Sequence, residues 1–403
     1  MKKFKLGSIL IAAAILFGST IPASTTLANQ GKYVPPKPLF SVYVEGKPVA
    51  FNAPLQTEEG RLLVEVDPVA KALGASVFFN SDSTQAEIIK ADVRLQIDFK
   101  QGTVVKNGQA IPVSPKPKLQ DGQPVLPARF LAETFGLPIT WDSKTNEVRL
   151  GPSQATLDKW AVIRTQLVKS RDAMQQLNSF TAKAQYEIHA QLPITLAKLD
   201  VSGEAKAVFH KEPLAVHVQT SPGSTSNLPP NFADNLLKEW NFYIANGKVY
   251  SLHYRDPKKW KVETLSERES MEASNPFASF LKNEDIEEYL PYTELLEEDG
   301  YQMVVFRLTG DDYRAMKQAR AAKYGYFRND YEELAPSHSK LVLYFDKSTA
   351  HLVKSHISAR LYESVPYAVD AFITLGDFNS APPVIVSPDA LKAEQEQERG
   401  DRR

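Results

Sequence analysis

Val42-Tyr43-Val44-Glu45-Gly46-Lys47-Pro48-Val49 and Val104-Val105-Lys106-Asn107-Gly108-Gln109 read as one β-hairpin written twice. In both, strand formers lead into a turn whose glycine tolerates positive φ, and Asn-Gly is the stronger of the two signals. The copies lie 62 residues apart, and the same offset carries Gly60 onto Gly122 and Gly74 onto Gly136 without a gap. A fixed period of this length predicts one supersecondary unit used twice.

Working outward, Arg61-Leu62-Leu63-Val64-Glu65-Val66 is answered by Gln123-Pro124-Val125-Leu126-Pro127-Ala128. A short helix then ends at Gly74 in the first unit and at Gly136 in the second, each glycine standing where a helix C-terminus turns left-handed. Each unit closes on a hairpin: Ser76-Val77-Phe78-Phe79-Asn80 with Ala86-Glu87-Ile88-Ile89, and Pro138-Ile139-Thr140-Trp141-Asp142 with Glu147-Val148-Arg149-Leu150. Phe79 and Trp141 share a register and are expected to fill the core, while Asn80 and Asp142 make the turns.

In this order the segments resemble the bacterial stalk domain, also called the copper amine oxidase N-terminal-like domain, over residues 41–151. The second unit keeps Leu126-Pro127-Ala128-Arg129-Phe130, Phe135-Gly136 and Ile139-Thr140-Trp141-Asp142. The first keeps Leu73-Gly74-Ala75 and departs at Val64-Glu65-Val66-Asp67 and Phe78-Phe79-Asn80. The resemblance implies a spacer or interaction module of exported and cell-wall-associated proteins. It does not extend to copper, which takes imidazole, thiolate or thioether ligands. The first histidine is His189, and no Cys or Met lies between residues 29 and 151.

The chain opens Met1-Lys2-Lys3-Phe4-Lys5, continues with an apolar run over 6–17 and reaches Thr26-Leu27-Ala28. That is the pattern of a secretory signal peptide, residues 1–28, cut after Ala28; its apolar run is too short to span a bilayer. A Pro-rich linker is expected over 29–38 and a charged tail without apolar anchors over 393–403. No later run of 18 apolar residues occurs, so the expected product is secreted or associated with the cell wall and envelope, and not an integral membrane protein after processing. Cysteine is absent, which excludes disulfides and a thioether lipid anchor. With 47 basic and 48 acidic residues, net charge −1, no field favours nucleic acid as a partner. A 43% hydrophobic composition supports unstapled cores, and the length suggests two domains, at 39–151 and 155–392.

Beyond residue 151 the period changes. Trp160, Ile163, Leu167, Met174 and Leu177 mark one face of a helix over 154–177. Strands are predicted at 180–190, 195–209, 214–220, 240–245, 248–253 and 260–264, with Asn246-Gly247 as a hairpin turn. An acidic helical region over 267–298 precedes further strands at 303–308, 340–345, 352–362 and 369–375. Leu341-Val342-Leu343-Tyr344-Phe345 is apolar on both alternating faces, so that part of the sheet should be covered on both sides. One cover is the long helix; the other is a ligand, more helices or the front domain.

This order resembles LolA-type lipoprotein-carrier half-barrels and their Gram-positive lipoprotein relatives of unassigned function, over residues 155–392. The matching stretches are Met174-Gln175-Gln176-Leu177-Asn178-Ser179-Phe180, the 243–250 hairpin leading to Trp260, Leu375-Gly376-Asp377-Phe378-Asn379, and Val384-Ile385-Val386-Ser387-Pro388-Asp389-Ala390. The relatives carry a lipid-attachment cysteine that this chain lacks. The expected class is α+β: a small repeated hairpin and helix module, then a curved antiparallel sheet, a half-barrel, covered by helices.

No catalytic or metal-binding residue is predicted. The seven histidines stand at 189, 210, 217, 253, 338, 351 and 356. His351 and His356, five apart on one predicted strand, point to opposite faces. His-Glu-x-x-His, EF-hand, Gly-x-Ser-x-Gly and phosphate-cradling glycine loops are missing, and no cofactor is implied. Glu284, Asp285, Glu287, Glu288, Glu294, Glu297, Glu298 and Asp299 read as a solvated helix face.

The expected function is therefore non-enzymatic: a spacing or docking module, plus a half-barrel holding a lipid or other apolar ligand, with no ligand residues assigned. The alternative is a structural or interaction protein of the envelope, with a filled half-barrel and a cell-wall or envelope partner. A hydrolase would need a triad assembled by geometry alone. An apolar cavity of several hundred Å³ is the feature that separates carrier from filled barrel.

Overall fold

The computed structural model describes residues 40–191, 198–226, 240–253, 256–274, 276–277, 283–324, 336–361 and 367–400. The expected signal segment with its expected cleavage site after Ala28, the expected 29–38 linker and residues 401–403 lie outside them. Two compact units divide the described chain. One holds residues 40–162 with 308–324, the other 163–307 with 336–400.

In the first unit β1 (Ser41–Val44), β2 (Lys47–Val49), β3 (Gln56–Glu58) and β4 (Arg61–Glu65) lead into helix α1 (Val66–Ala72). Then come β5 (Ser76–Phe79), β6 (Gln85–Lys90), β7 (Val93–Asp98), β8 (Thr103–Lys106), β9 (Gln109–Ile111), β10 (Lys118–Gln120) and β11 (Gln123–Pro127). Helix α2 (Ala128–Thr134), β12 (Ile139–Asp142) and β13 (Glu147–Leu150) complete it. The strands form three sheets, ordered β12-β13-β1-β2, β10-β11-β4-β3 and β5-β6-β7-β8-β9. The hairpin turns use left-handed backbone, with φ of 47° and 79° at Glu45 and Gly46, and of 49° and 82° at Asn107 and Gly108.

Two pairings tie the ends of this segment together. β4 lies antiparallel to β11, with Val64 opposite Leu126, and β1 runs parallel to β13. Val44, Val64, Val66, Leu126 and Leu150 are fully buried in the common core. Strand β7 was not expected, although Leu95 and Ile97 alternate with polar residues as a half-buried strand requires. It pairs with both β6 and β8.

Both helices end in a Schellman turn: Ala75 N–H bonds Ala70 C=O and Gly74 N–H bonds Lys71 C=O, as do Leu137 to Ala132 and Gly136 to Glu133. Gly136 sits at φ +66° with open space where a Cβ would point. Gly136→Ala is therefore expected to cost only backbone strain, about 1–2 kcal/mol, read as a lower urea midpoint.

Trp141 departs from expectation. Phe79 packs partly against the core, but Trp141 is 63% exposed. Its register partner is the buried Val148, so the indole lies on the inward side of β12, yet β12 is the edge of its sheet and, among the described residues, no side chain roofs the ring there.

Helix α3 (Gln154–Gln175) crosses into the second unit and buries Ile163, Leu167, Ser170 and Met174. There follow β14 (Ser179–Gln191), β15 (Lys198–His210), β16 (Ala215–Ser226), β17 (Trp240–Ala245), β18 (Lys248–His253) and β19 (Asp256–Thr264). Helices α4 (Glu267–Ser274) and α5 (Asn283–Tyr289) and a 3₁₀ turn (Leu290–Tyr292) precede β20 (Thr293–Glu298) and β21 (Tyr301–Thr309). Helix α6 (Gly310–Tyr324), β22 (Pro336–Asp346), β23 (Leu352–Leu361), β24 (Tyr367–Gly376) and α7 (Pro388–Gly400) complete the chain. Helix α6 packs against β1 and β2 of the first unit, of which it is part.

Eleven strands form one curled half-barrel sheet, ordered β19-β18-β17-β16-β15-β14-β24-β23-β22-β21-β20. The class is consistent with α+β. The acidic run does not form one helix face. Glu287 and Glu288 are on α5, where Arg164 of α3 grips Glu287 through two hydrogen bonds of 2.5 and 2.8 Å. Glu294, Glu297 and Glu298 are on β20, and Asp299-Gly300, at φ 37° and 85°, makes the hairpin to β21. The charge run masked an Asp-Gly turn signal.

The charged stretch from residue 393 continues α7, which is fastened to β18. Tyr250 OH donates to Glu394 at 2.7 Å, and Lys248 Nζ bonds Glu394 and, at 2.9 Å, Glu398. Beside them Ala390 is buried with Tyr243, Tyr250 and Val262. The Lys248 and Tyr250 hydrogen bonds hold the Glu394 carboxyl below its ordinary 4.5, and burial, with Glu394 nearby, pushes the Tyr250 phenol up to about 12.

A lowered carboxyl pKa stabilises the fold above the ordinary value and ceases to do so as pH falls through the folded value. Amide-exchange protection of residues 388–400 is thus expected to drop below pH 4.5. Glu394→Gln should remove that dependence. Among the described residues no helix is long and apolar enough to cross a membrane.

Candidate apolar binding face

Successive side chains of a strand point to opposite faces, so β14 sorts its own residues. Phe180, Ala182 and Ala184 are buried, and Tyr186 and Ile188 continue the same face half-buried. Lys183, Gln185, Glu187 and His189 stand exposed on the other. Antiparallel register extends each position into a rung across the sheet. Leu343, Ser355, Ile373, Ala184 and Ala205 form one rung and are all buried. The next is Leu341, Ile357, Ala371, Tyr186 and Gly203. The third, Ser339, Ala359, Val369, Ile188 and Val201, is half-buried throughout, with a hydroxyl at its β22 end. The apolar stripe thus runs past the protein atoms that cover it.

At its closed end Phe180 stacks on Phe209 with centroids 4.9 Å apart and meets Phe277 at 5.3 Å. At the boundary Tyr186 lies over Gly203: an added Cβ there would fall 2.4 Å from the phenol oxygen and 2.6 Å from Cζ. Burial raises the Tyr186 pKa above its ordinary value. Gly203→Val is expected to overpack this contact and lower stability by about 1–3 kcal/mol. Urea unfolding of the double variant with Tyr186→Ala should recover most of that loss.

Along β14 the opposite face is polar. His189 Nδ1 lies 2.7 Å from Asp200, Gln185 Nε2 donates to Glu204 at 3.1 Å, and His356 Nε2 lies 3.0 Å from Asp370. The His356 ring stacks on exposed Phe372 with centroids 4.0 Å apart. His351 precedes β23 instead of lying on it, because β23 begins at Leu352; its ring leans on Phe378 at 4.7 Å and burial lowers its pKa. Among the described residues no three His, Asp or Glu side chains are grouped to hold a metal.

The sequence reading placed a strand at 180–190 but assigned none of these face residues. The alternation of Ala182, Ala184, Tyr186 and Ile188 with Lys183, Gln185 and Glu187 was the available signal. It fixes two faces without saying which is inside.

No curated protein matched the chain. Among solved structures, it is similar to LprF from Mycobacterium bovis, with 13% identity over 59% of this chain and 98% of that one at TM-score 0.29. It is similar also to a LolA superfamily protein from Nitrosomonas europaea, with 12% identity over 53% and 94% at TM-score 0.20. A DUF1329 family protein from Desulfovibrio piger gives 12% identity over 52% and 90% at TM-score 0.20. By sequence, residues 43–150 match the model of the copper amine oxidase N-terminal domain.

Proposed function

We propose that the chain is a non-enzymatic protein of the cell envelope, exported and cut after Ala28. Its half-barrel, within residues 155–392, holds the acyl chain of a lipid or another apolar ligand against Ala359, Val369, Ile188 and Val201. Residues 39–151 serve as a spacer or docking module built from two copies of one unit. The 62-residue spacing from β1–β4 and α1 to β8–β11 and α2 supports that duplication.

One observation carries the ligand reading: a mainly apolar face, interrupted by Ser355 and the Tyr186 phenol, that goes from fully buried to half-exposed over three rungs, backed along β14 by a charged face. Filling the outer rung would remove apolar area from water at about 25 cal/mol per Å². The filled rung of Leu343, Ser355, Ile373, Ala184 and Ala205 supports the second reading, an interaction protein with a packed barrel. The two readings part at the outer rung. Titration of the mature protein into a fluorescent fatty acid tests them: a saturable emission gain, competed by unlabelled fatty acid, is expected, and its absence removes the ligand reading.

A further inference from the structure

A second recognition place lies in the first unit, around the uncovered Trp141. Its indole stands on the inward side of edge strand β12 beside a groove of about 110 Å³. Phe40, Thr57, Arg61, Arg129 and Thr140 line the groove with it, and among the described residues no acidic side chain does. The two cations come from opposite ends of the segment, Arg61 opening β4 and Arg129 on α2. Nη1 of Arg61 donates to the Ser114 carbonyl, a single bond that orients a guanidinium with five N–H donors without saturating it. Arg129 is held only loosely, 3.8 Å from Glu133, with both side chains 65% exposed.

The arrangement occurs once in the unit. At the positions 62 residues away, Asp67 stands for Arg129, Gln123 for Arg61, and Phe79 for Trp141, with Phe79 packed on the core. An exposed aromatic face flanked by two exposed guanidinium groups, one bonded to a carbonyl and the other in a long, solvent-exposed pair with Glu133, has a definite complement: a flat apolar surface carrying an anionic group. Sugar rings present C–H faces that lie on indole, and Arg forks match carboxylate or phosphate oxygens bidentately. A shallow, open groove of this volume suits one unit of a long chain passing over it better than an enclosed free metabolite. Nucleic acid also stacks and binds Arg, but it selects a continuous basic track with many phosphate contacts, and among the described residues this groove offers only two cations, both at one ring.

We propose that the Trp141 groove binds an anionic polysaccharide, with a sugar ring on the indole and its acidic group between Arg61 and Arg129. Affinity electrophoresis of the mature chain through gels containing polygalacturonate, dextran, polyphosphate or oligo-dT tests this. Retardation by polygalacturonate is expected, with dextran and polyphosphate each at least tenfold weaker because each offers only half of the complement. Trp141→Ala and the double variant Arg61→Gln, Arg129→Gln should each weaken polygalacturonate binding at least tenfold. All three side chains are exposed, so the melting curves should not change.

Unaltered binding in both variants would overturn the proposal. So would equal or tighter binding of dextran, polyphosphate or oligo-dT, or no retardation by polygalacturonate. Should Trp141→Ala fail to fold, Arg129→Gln alone decides, since that side chain is 65% exposed.

Discussion

Phe180→Ala is expected to destabilise the half-barrel unit by about 3–5 kcal/mol. The side chain is 1% exposed and meets two other rings, Phe209 and Phe277, so truncation removes transfer free energy, leaves a cavity and breaks two aromatic contacts. Phe209 lies directly across from it on β15, and the neighbouring Ala182 and Ala207 are too small to collapse into the space. Phe78→Ala is the matched control in the other unit: at 58% exposure it should change stability by about 0.5 kcal/mol or less. Calorimetry checks both. The loss should fall on the transition of the half-barrel and leave that of the first unit in place.

Ile188→Asp is expected to weaken fatty acid uptake at least tenfold while leaving the chain folded. Ile188 is flanked in register by Val369 and Val201, so a carboxylate there would put charge in the middle of the outer rung. An acyl chain cannot cover that charge without leaving it unpaired. Because the position is half-buried, the empty protein can hydrate the carboxylate, and the folding penalty stays well below that of a fully buried charge. Glu187→Ala, one residue away on the opposite face, should leave uptake unchanged. Uptake undiminished in Ile188→Asp would place any ligand elsewhere.

What could be read from the sequence was mostly local. Asn107-Gly108 and Asn246-Gly247 announced their hairpins because Asn and Gly adopt positive φ cheaply, whereas at Glu45-Gly46 only the glycine does so; the structure has left-handed backbone at all six. Asp299-Gly300 obeys the same rule but was hidden inside an acidic run, so β20 was taken for helix. The strand hosting the binding face was legible and its role was not. Ile188 becomes part of a rung only because β14 pairs with β24, bringing Val369 beside it, and with β15, bringing Val201. Residues so distant in sequence leave no periodic trace of their pairing. Trp141 shows the converse limit: period two gave its side of the strand correctly, but burial also depends on what lies above, and β12 is an edge.

Native mass spectrometry of the purified mature protein, before and after lipid extraction, tests the ligand-holding half-barrel most directly. The expected spectrum shows an adduct of one acyl-bearing molecule that extraction removes and added fatty acid restores. A bare protein mass in every condition, with no adduct even after fatty acid is supplied, would contradict a ligand on the Ile188 rung and leave the packed, partner-binding barrel in its place.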